Sequence, residues 1–425
     1  MNTTAKSTLL AAWGLFASVL LLMLGRGLVG VLSGVRAELE GFDTTVTGVI
    51  VASYFVGFLI GSQVTPRIMS RVGHIRVFSA LSALIVVAIL AQGIWVAPVP
   101  WILLRLIFGF GMVGLVVVAE SWLNDTVTND NRGRVMAIYM VASMGGVAGG
   151  QFLLGAGDPS TEVLFVVGAA LIALAIVPIS LSTSSAPEFK LPPRMNPREI
   201  WEAAPIGVVG ALFTGMANAA LLGMAAVYAS QVGMTVERTA LFAGAAAVGA
   251  VFLQYPIGML SDVVGRRPMI LMVSSAAVIV AGIGLALPVD GWGIIGVMFG
   301  FGGLSYTMYS LALSHVIDVL PPGRAVTASS TNVFLTGVGA IIGPVLTAVL
   351  MTAIGPGGFW WTLVFAFSVI SVFAAYRLVR RPKIKGLSPE PYLAVPARST
   401  GIVRLVRGNG RRRDRGSESD HRLDP

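Results

Sequence analysis

The chain contains no cysteine and few charged residues. The absence of cysteine excludes disulfide bonds, thiol catalysis and metal sites built on thiolates. Charged residues make up 12% of the sequence and hydrophobic residues 55%, whereas soluble domains carry about 25% charged residues. A chain of this composition cannot cover its surface with water-facing side chains, so we predict that most of it lies in a membrane.

Long apolar runs, separated by short charged or Gly/Pro-rich connections, occupy most of the chain before the tail. A helix needs about 20 apolar residues to cross the hydrocarbon core, and an open strand would leave its backbone groups unsatisfied there. We therefore predict an all-α membrane protein whose first span is retained, because it is too long for a signal-peptide core. The twelve predicted spans lie near residues 9–34, 44–66, 76–96, 100–124, 134–156, 161–182, 204–229, 237–259, 268–288, 292–317, 325–353 and 358–379.

Basic residues are concentrated in the connections on one side of these spans. The connections after the odd-numbered spans contain only two, Arg36 and Arg238, beside several acidic residues, while the even-numbered connections and the tail contain most of the Lys and Arg. Because cytoplasmic loops carry the excess of Lys and Arg, we predict that both termini are cytoplasmic.

The longest connection is rich in Pro and Ser and divides the spans into two groups of six. Residues 197–202 within it are predicted to form a short interfacial helix. Residues 377–425 hold 13 Lys and Arg against 5 Asp and Glu, a balance that favours anionic membrane lipids over nucleic acid as the partner of the tail. The predicted organisation is an N-terminal six-helix bundle at 1–182, a cytoplasmic linker at 183–203, a C-terminal six-helix bundle at 204–379 and a basic disordered cytoplasmic tail at 380–425.

The two halves repeat weakly, since the segment at 66–76 aligns with the segment at 258–268, 192 residues later. In the second copy, GMLSDVVGRR resembles the loop signature of the major facilitator superfamily, and RLIFGFG at 105–111 resembles its fourth-helix motif. Two six-helix halves related as parallel repeats are the architecture of that family. The resemblance covers about residues 5–380. The residues that carry the loop signature are Gly258, Asp262, Gly265, Arg266 and Arg267.

The resemblance implies a multi-pass secondary transporter of the bacterial plasma (inner) membrane that moves a small molecule, works as a monomer and is not an enzyme. Two departures from the family pattern stand out. Ser70 occupies a position in the N-terminal loop where the family usually has Asp, so the charge network that latches the halves is weakened or rewired there. Gly146 replaces the proline of the drug-antiporter signature, which argues against drug antiport.

The two loop copies and the ends of the spans beside them are predicted to form a gate. Asp262 can meet the positive N-terminus of a neighbouring helix or the arginines that follow it, and such contacts form in one conformation and break in the other. The alternative is that the arginines only anchor the loops to lipid phosphates. The predicted gating residues are Ser70, Arg71, Gly73, Arg76, Asp125, Gly258, Asp262, Gly265, Arg266 and Arg267.

Three charged residues lie well inside the spans: Arg26, Arg105 and Glu120. A charge at the bilayer centre costs roughly 2.5 kcal/mol or more. The two arginines lie at similar depth in the outer half, and their guanidinium forks match a carboxylate or phosphate, so both are predicted to bind substrate. The alternatives are that Arg105 packs helices by bonding backbone carbonyls and that Arg26 extends outward to the interface.

Glu120 is the only acidic side chain deep in any predicted span. A carboxyl group shielded from water favours its neutral form, which suits a proton that must load and unload. Proton coupling is one interpretation. The alternative is a structural ion pair with Arg71, Arg76 or Arg134.

Polar residues within the C-terminal spans supply the remaining candidates. Asn218, Gln254, Tyr306 and Tyr309 are predicted to contact substrate, with one stripe of the tenth span facing a cavity. His315, further along that stripe, is a second candidate for proton coupling because its ordinary pKa lies near neutrality. A buried histidine satisfied by packing is the alternative.

No cofactor or metal site is predicted, because the chain lacks a His/Glu cluster at metal spacing and a phosphate-binding glycine loop. GFGMVG at 109–114 has dinucleotide-like spacing but no strand before it, so its glycines are interpreted as helix-packing positions. The resulting expectation is proton-coupled movement of a small, partly apolar anion. The alternatives are efflux of apolar or drug-like compounds and a membrane sensor that transports nothing.

Overall fold

The fold is described from a computed structural model that covers residues 3–126, 132–181, 197–320 and 325–380. Across these residues twelve helices are long and apolar enough to cross a membrane, which confirms the predicted all-α architecture. The predicted tail after Arg380 and most of the predicted linker lie outside the described residues. The helices are α1 (Thr3–Leu39), α2 (Thr44–Val72), α3 (His74–Ile94), α4 (Pro98–Thr126), α5 (Arg132–Phe152), α6 (Val163–Leu174), α7 (Ile176–Ser180), α8 (Pro197–Ala203), α9 (Pro205–Gly223), α10 (Ala225–Gln231), α11 (Val236–Val264), α12 (Arg266–Ala286), α13 (Trp292–Val319), α14 (Ala325–Ile354) and α15 (Gly358–Arg380).

Three spans predicted as continuous are interrupted: the fifth ends in a short 3₁₀ helix, Leu153–Ala156, and the sixth and seventh are each built from two α-helices. The sixth span is divided into α6 and α7 at Ala175. Pro178 explains this break, because proline cannot donate to the carbonyl four residues earlier, at Leu174, where α6 ends. The seventh span is divided into α9 and α10 beside Gly223, a residue of low helix propensity.

Each half contains a close crossing of its second and fourth spans. A methyl group added at Gly57 on α2 would overlap the carbonyl of Leu106 on α4, and one at Gly249 on α11 would overlap the carbonyl of Phe299 on α13. Gly57 and Gly249 are 192 residues apart, which is the offset of the loop repeat. Small residues let helix backbones approach in membranes, so the weak sequence repeat corresponds to repeated packing.

The loop copies share one backbone turn. Gly73 has φ +93° and Gly265 has φ +95°, values at which a side chain would be strained. Each glycine N–H donates to the carbonyl four residues earlier, Met69 or Ser261, and so ends one helix directly before the next begins.

The short helix predicted in the linker is present as α8. Ile200 on α8 is buried against α13, and the ring of Trp201 lies 6.1 Å from the ring of Phe373 on α15. The linker therefore approaches the end of α13. We call the side of the molecule that carries α8 the linker face, and the opposite side, which carries the α1–α2 connection, the first-loop face.

Candidate functional site

A cavity with about 960 Å³ of unoccupied space, part of it open to solvent, lies between the two halves. Its walls come from α1, α2, α4 and α5 of the first half and from α9, α11, α13 and α14 of the second. Five of the predicted site residues line it: Arg26, Glu120, Asn218, Gln254 and Tyr306. Its apolar walls include Met23, Phe55, Phe58, Val116, Met140, Met144, Leu222 and Val333.

Arg26 is half-buried on α1 and is the arginine among the lining residues. Its Nε donates a hydrogen bond to Tyr54 Oη at 3.1 Å, and its Nη1 lies 4.0 Å from Met23 Sδ. A neutral phenol and a thioether leave the guanidinium charge uncompensated by these two contacts. The side chain therefore retains hydrogen-bonding capacity toward an anion in the cavity.

Arg105 does not line the cavity, contrary to the prediction that it contacts substrate. It is 3% exposed, and its Cζ lies 5.2 Å from the ring centre of Tyr54 and 5.3 Å from that of Phe108. The Nε and Nη1 atoms have no hydrogen-bond partner within the described part of the chain. Tyr54 thus occupies the place between the two arginines where an anionic group was predicted, and cation–π contact is what stabilises Arg105 there.

Glu120 is 3% exposed at the cavity wall and accepts a hydrogen bond from Tyr139 Oη at 2.9 Å. Two of the arginines considered as ion-pair partners, Arg71 and Arg76, are exposed at the linker face. The side chain of the third, Arg134, lies outside the described residues. The geometry places the carboxyl group beside a phenol, in the same cavity as Arg26.

The C-terminal half contributes amide and phenol groups to the opposite wall. Asn218 Oδ1 accepts from Ser305 Oγ at 2.7 Å, and Gln254 Nε2 donates to Ser310 Oγ at 3.2 Å. Each contact orients one end of the amide. The other ends, the Nδ2 donor of Asn218 and the Oε1 acceptor of Gln254, can therefore hydrogen-bond a solute in the cavity. Tyr306 completes this wall.

The predicted stripe of the tenth span is divided by the packing of α13. Tyr306 lines the cavity, but Tyr309 is 1% exposed and packed in the protein interior. His315 lies further along α13, near the linker face, in a small pocket with Arg267 and Arg377. The prediction that Tyr309 and His315 face the cavity is therefore wrong, because the helix rotates both side chains away from it.

Sequence reasoning missed two tyrosines and a group of methionines. Tyr54 contacts both Arg26 and Arg105, and Tyr139 contacts the buried Glu120. Each is a polar group inside an apolar span, but a tyrosine in such a span is equally at home in a packed core. The methionines Met23, Met140 and Met144 are apolar and carry no pattern that separates a cavity wall from a core.

The predicted gate residues of the second loop form a charge network. Arg266 is 6% exposed; its Nη1 lies 2.7 Å from Asp262 Oδ1 and its Nε lies 3.3 Å from Asp318 Oδ2. The network joins α11, α12 and α13 within one half. Gly258 lies buried on α11, one turn before Asp262, and Arg267 is half-buried beside the network.

The first loop has neutral groups at the repeated positions. Ser70, which aligns with Asp262, donates its Oγ to the carbonyl of Arg67 at 2.9 Å. His74, which aligns with Arg266, lies 3.1 Å from Ser121 Oγ through its Nε2. The side chain of Asp125 lies outside the described residues. The first loop therefore departs from the charged pattern of the second loop at His74 as well as at Ser70.

The first-loop face is closed by contacts between the halves. Gln231 Nε2 donates to Glu38 Oε1 at 3.2 Å and to Thr44 Oγ1 at 2.8 Å, and Thr45 Oγ1 lies 3.3 Å from Thr352 Oγ1. These groups lie at the ends of α1, α2, α10 and α14. The cavity residues Glu120, Tyr139 and Gln254 lie toward the linker-face ends of their helices, on the far side of this seal.

Within the described ranges, the side chains form no group of three or more His, Asp or Glu suited to hold a metal ion. The site consists instead of one guanidinium, one carboxyl group, amides and phenols at the interface of two helical bundles. A cavity between two repeated helical halves is the position at which membrane transporters of this architecture hold their substrates.

The sequence matches the profile of the Major Facilitator Superfamily over residues 15–338 and 207–411. The chain therefore belongs to this superfamily, as the loop and fourth-helix motifs predicted. An uncharacterised MFS-type transporter of Enterobacter sp. (strain 638) is 26% identical over 353 residues, which cover 83% of this chain and 90% of the relative.

Two solved structures share the fold. The nucleoside transporter NupG superposes with a TM-score of 0.71 at 12% identity, covering 87% of this chain and 98% of that one. A D-xylose-proton symporter superposes with a TM-score of 0.67 at 16% identity, covering 90% and 99%. The chain is thus a multi-pass membrane protein with the fold of the superfamily's transporters.

Proposed function

We propose that this protein is a proton-coupled secondary transporter of a small, partly apolar organic anion, and that its two halves alternate access to the central cavity. The observation that carries the proposal is the joint presence of Arg26 and Glu120 on the wall of one cavity between the halves. The excess of Lys and Arg in the connections on the linker face supports a cytoplasmic location for that face and for both termini.

The charges of the cavity explain why a proton and an anion would travel together. With Glu120 ionised, the carboxylate balances Arg26 and an entering anion meets no net attraction. With Glu120 protonated, the guanidinium charge is left over, and an anion restores neutrality in surroundings of low dielectric constant. One proton and one anion loaded together leave the net charge of the cavity unchanged, which favours symport.

Tyr139 has a defined part in this scheme. Its hydroxyl donates to Glu120 Oε1 at 2.9 Å, and this contact holds the carboxyl group at the cavity wall, where a proton and a solute can both reach it. The D-xylose-proton symporter has the same fold, and its example supports the proposal that this fold can couple a solute to a proton.

The rest of the wall suits a solute with an apolar body. Methionine, phenylalanine and valine side chains surround the polar groups, and the amides of Asn218 and Gln254 can orient a second polar atom. A short carboxylic acid with an aliphatic or aromatic tail matches the arrangement.

The test is uptake into proteoliposomes with and without an inwardly directed pH gradient. We expect hydrophobic monocarboxylic acids to accumulate when the gradient is imposed, and their neutral amides, which have the same shape, to be excluded. Equal transport of acid and amide would contradict an anion-selective site.

A second function, efflux of apolar compounds, is favoured by one specific observation. Three methionines, Met23, Met140 and Met144, line the cavity, and methionine walls adapt to ligands of different shape. Gradient-driven expulsion of apolar dyes from loaded vesicles, with no acid uptake, would favour this function over the first.

A further inference from the structure

Tyr54 on α2 contacts both the arginine that lines the cavity and the arginine buried behind it. Its Oη accepts a hydrogen bond from Arg26 Nε at 3.1 Å, and its ring centre lies 5.2 Å from Arg105 Cζ. Tyr54 is 2% exposed and does not line the cavity itself. Any effect of Tyr54 on a solute in the cavity must therefore pass through a side chain that does.

The close crossing of α2 and α4 fixes the backbone of Tyr54. A methyl group added at Gly109 on α4 would overlap the carbonyl oxygen of Tyr54, just as one at Gly57 on α2 would overlap the carbonyl of Leu106. Small residues on both sides of a crossing let the two backbones meet directly. The backbone of Tyr54 is therefore held in place relative to Arg105, which lies one turn before Gly109.

The ring of Tyr54 is fixed by three neighbours. The ring centres of Phe55 and Phe108 lie 5.0 Å and 5.5 Å from the ring centre of Tyr54, and the guanidinium of Arg105 lies over its face. Aromatic pairs and cation–π contacts at these distances are attractive. A ring enclosed in this way has little room to turn, so packing sets the direction in which its hydroxyl points.

The hydroxyl contact limits which donors of Arg26 can meet an anion. A guanidinium carries five N–H donors in one plane, and a carboxylate can pair either with Nε and one Nη or with both Nη groups. Because Tyr54 accepts from the Nε–H, two parallel bonds to a carboxylate must come from Nη1 and Nη2. The contact of Nη1 with Met23 Sδ at 4.0 Å competes little, since a thioether is a weak acceptor.

We infer that Tyr54 is a positioning residue of the substrate site, which holds the guanidinium of Arg26 so that its two Nη groups receive the carboxylate of the solute end-on. The inference rests on the proposed transport of an organic anion. Fixing the Nε–H stops rotation about the Cδ–Nε bond. The arginine is thus ordered before the anion arrives, and less rotational freedom is lost on binding.

The experiment measures binding by calorimetry on the full chain, purified in detergent. The probes are octanoate, phenylacetate and phenylbutyrate, each paired with its neutral amide, and the acid that binds most tightly is carried forward. Tyr54→Phe removes the hydroxyl and keeps the ring against Arg105. We expect this variant to bind the acid about five- to ten-fold more weakly than wild type. Its melting temperature and its weak binding of the amide should stay unchanged.

Tyr376→Phe is the matched control, because it also removes the hydroxyl of a tyrosine beside an arginine. Tyr376 is 49% exposed near the end of α15, and its ring centre lies 5.1 Å from Arg380 Cζ, away from the cavity lining. Its affinity for the acid should equal that of wild type. Equal weakening in both tyrosine variants would reject a specific role for Tyr54.

A double-mutant cycle with Arg26 separates positioning from general support of the fold. In Arg26→Ala the guanidinium that Tyr54 holds is absent, so adding Tyr54→Phe is expected to weaken acid binding no further. Weak binding in this background is measured from the rise in melting temperature at high concentrations of the acid. A hydroxyl that only supported the fold would weaken binding by the same factor with and without Arg26, and that result would overturn the inference.

Failure of the proposed function would give a different pattern. If the wild type binds the acids no better than their amides, the cavity does not select anions, and both the proposed function and this inference are wrong. If the wild type selects acids and Arg26→Ala loses that selection, but Tyr54→Phe binds like the wild type, the inference alone is wrong.

Discussion

Tyr139 donates a hydrogen bond to Glu120 across 2.9 Å, and this pair shares one cavity wall with Arg26. The carboxyl group therefore lies against a phenol on the wall of a largely apolar cavity that a guanidinium also lines. This relationship motivates the first two predictions.

Glu120→Gln is expected to abolish transport driven by a pH gradient while preserving exchange of substrate between the two sides. The amide keeps the shape and the hydrogen bond to Tyr139 but cannot release a proton. The measurement compares gradient-driven uptake with counterflow in proteoliposomes. Tyr139→Phe serves as the companion variant and should shift the pH dependence while retaining coupling. Wild-type gradient dependence in Glu120→Gln would reject its assignment as the proton site.

Arg26→Ala is expected to weaken substrate binding by about 10- to 100-fold, because a hydrogen bond to a charged group contributes about 1.5–3 kcal/mol. Arg26→Lys keeps the charge but lacks the planar guanidinium fork, so its affinity for substrate should lie between those of the wild type and Arg26→Ala. Arg67→Ala is the matched control, since Arg67 is exposed and its side chain donates to the carbonyl of Gln63 in its own helix. Binding is measured by calorimetry on detergent-purified protein. Normal binding by Arg26→Ala would exclude an anionic substrate.

Asp262→Asn is expected to shift the population toward the state in which the linker face is open. Arg266 keeps Asp318 as a partner after this change, so the present arrangement loses little. In the state in which the linker face is closed, the Asp262 carboxylate can meet a helix N-terminus across the halves, and Asp262→Asn removes that charge.

The chain has no cysteine, which allows this shift to be measured with one introduced thiol. Ser143→Cys places that thiol on the cavity wall, and an impermeant maleimide in inside-out vesicles reports its access. Labelling should increase in Asp262→Asn and stay unchanged in Ser70→Ala, which alters the repeated position of the first loop. Unchanged labelling in both variants would show that Asp262 is no latch.

Gly57→Ala is expected to destabilise the protein by about 1–3 kcal/mol, because a methyl there overlaps the backbone of Leu106 and the helices must separate. Gly296→Ala is the control, since no atom lies within 4 Å of its added methyl, and alanine favours the helix by up to about 1 kcal/mol. The melting temperature in detergent should therefore fall in Gly57→Ala and rise in Gly296→Ala. Equal melting temperatures would contradict the close crossing of α2 and α4.

Much of the site was predictable from charge alone. Arg26 and Glu120 interrupt apolar runs, and a charge that costs so much in hydrocarbon is kept where it has a use. Asn218, Gln254 and Tyr306 followed from the same logic applied to uncharged groups. Tyr54 and Tyr139 did not, because a tyrosine in an apolar span is equally at home in a packed core.

The sequence by itself determined the membrane class, the twelve spans and the repeat. Hydrocarbon admits only self-satisfied helices, and the apolar runs have the length that it requires. Tertiary structure decided which polar groups meet. The sequence predicts similar membrane depths for Arg26 and Arg105, yet the packing of α2 places Tyr54 between the two side chains. The packing of α13 likewise directs His315 to the linker face rather than to the cavity. Depth follows from counting residues along one helix, whereas the direction of a side chain depends on which neighbour each helix packs against.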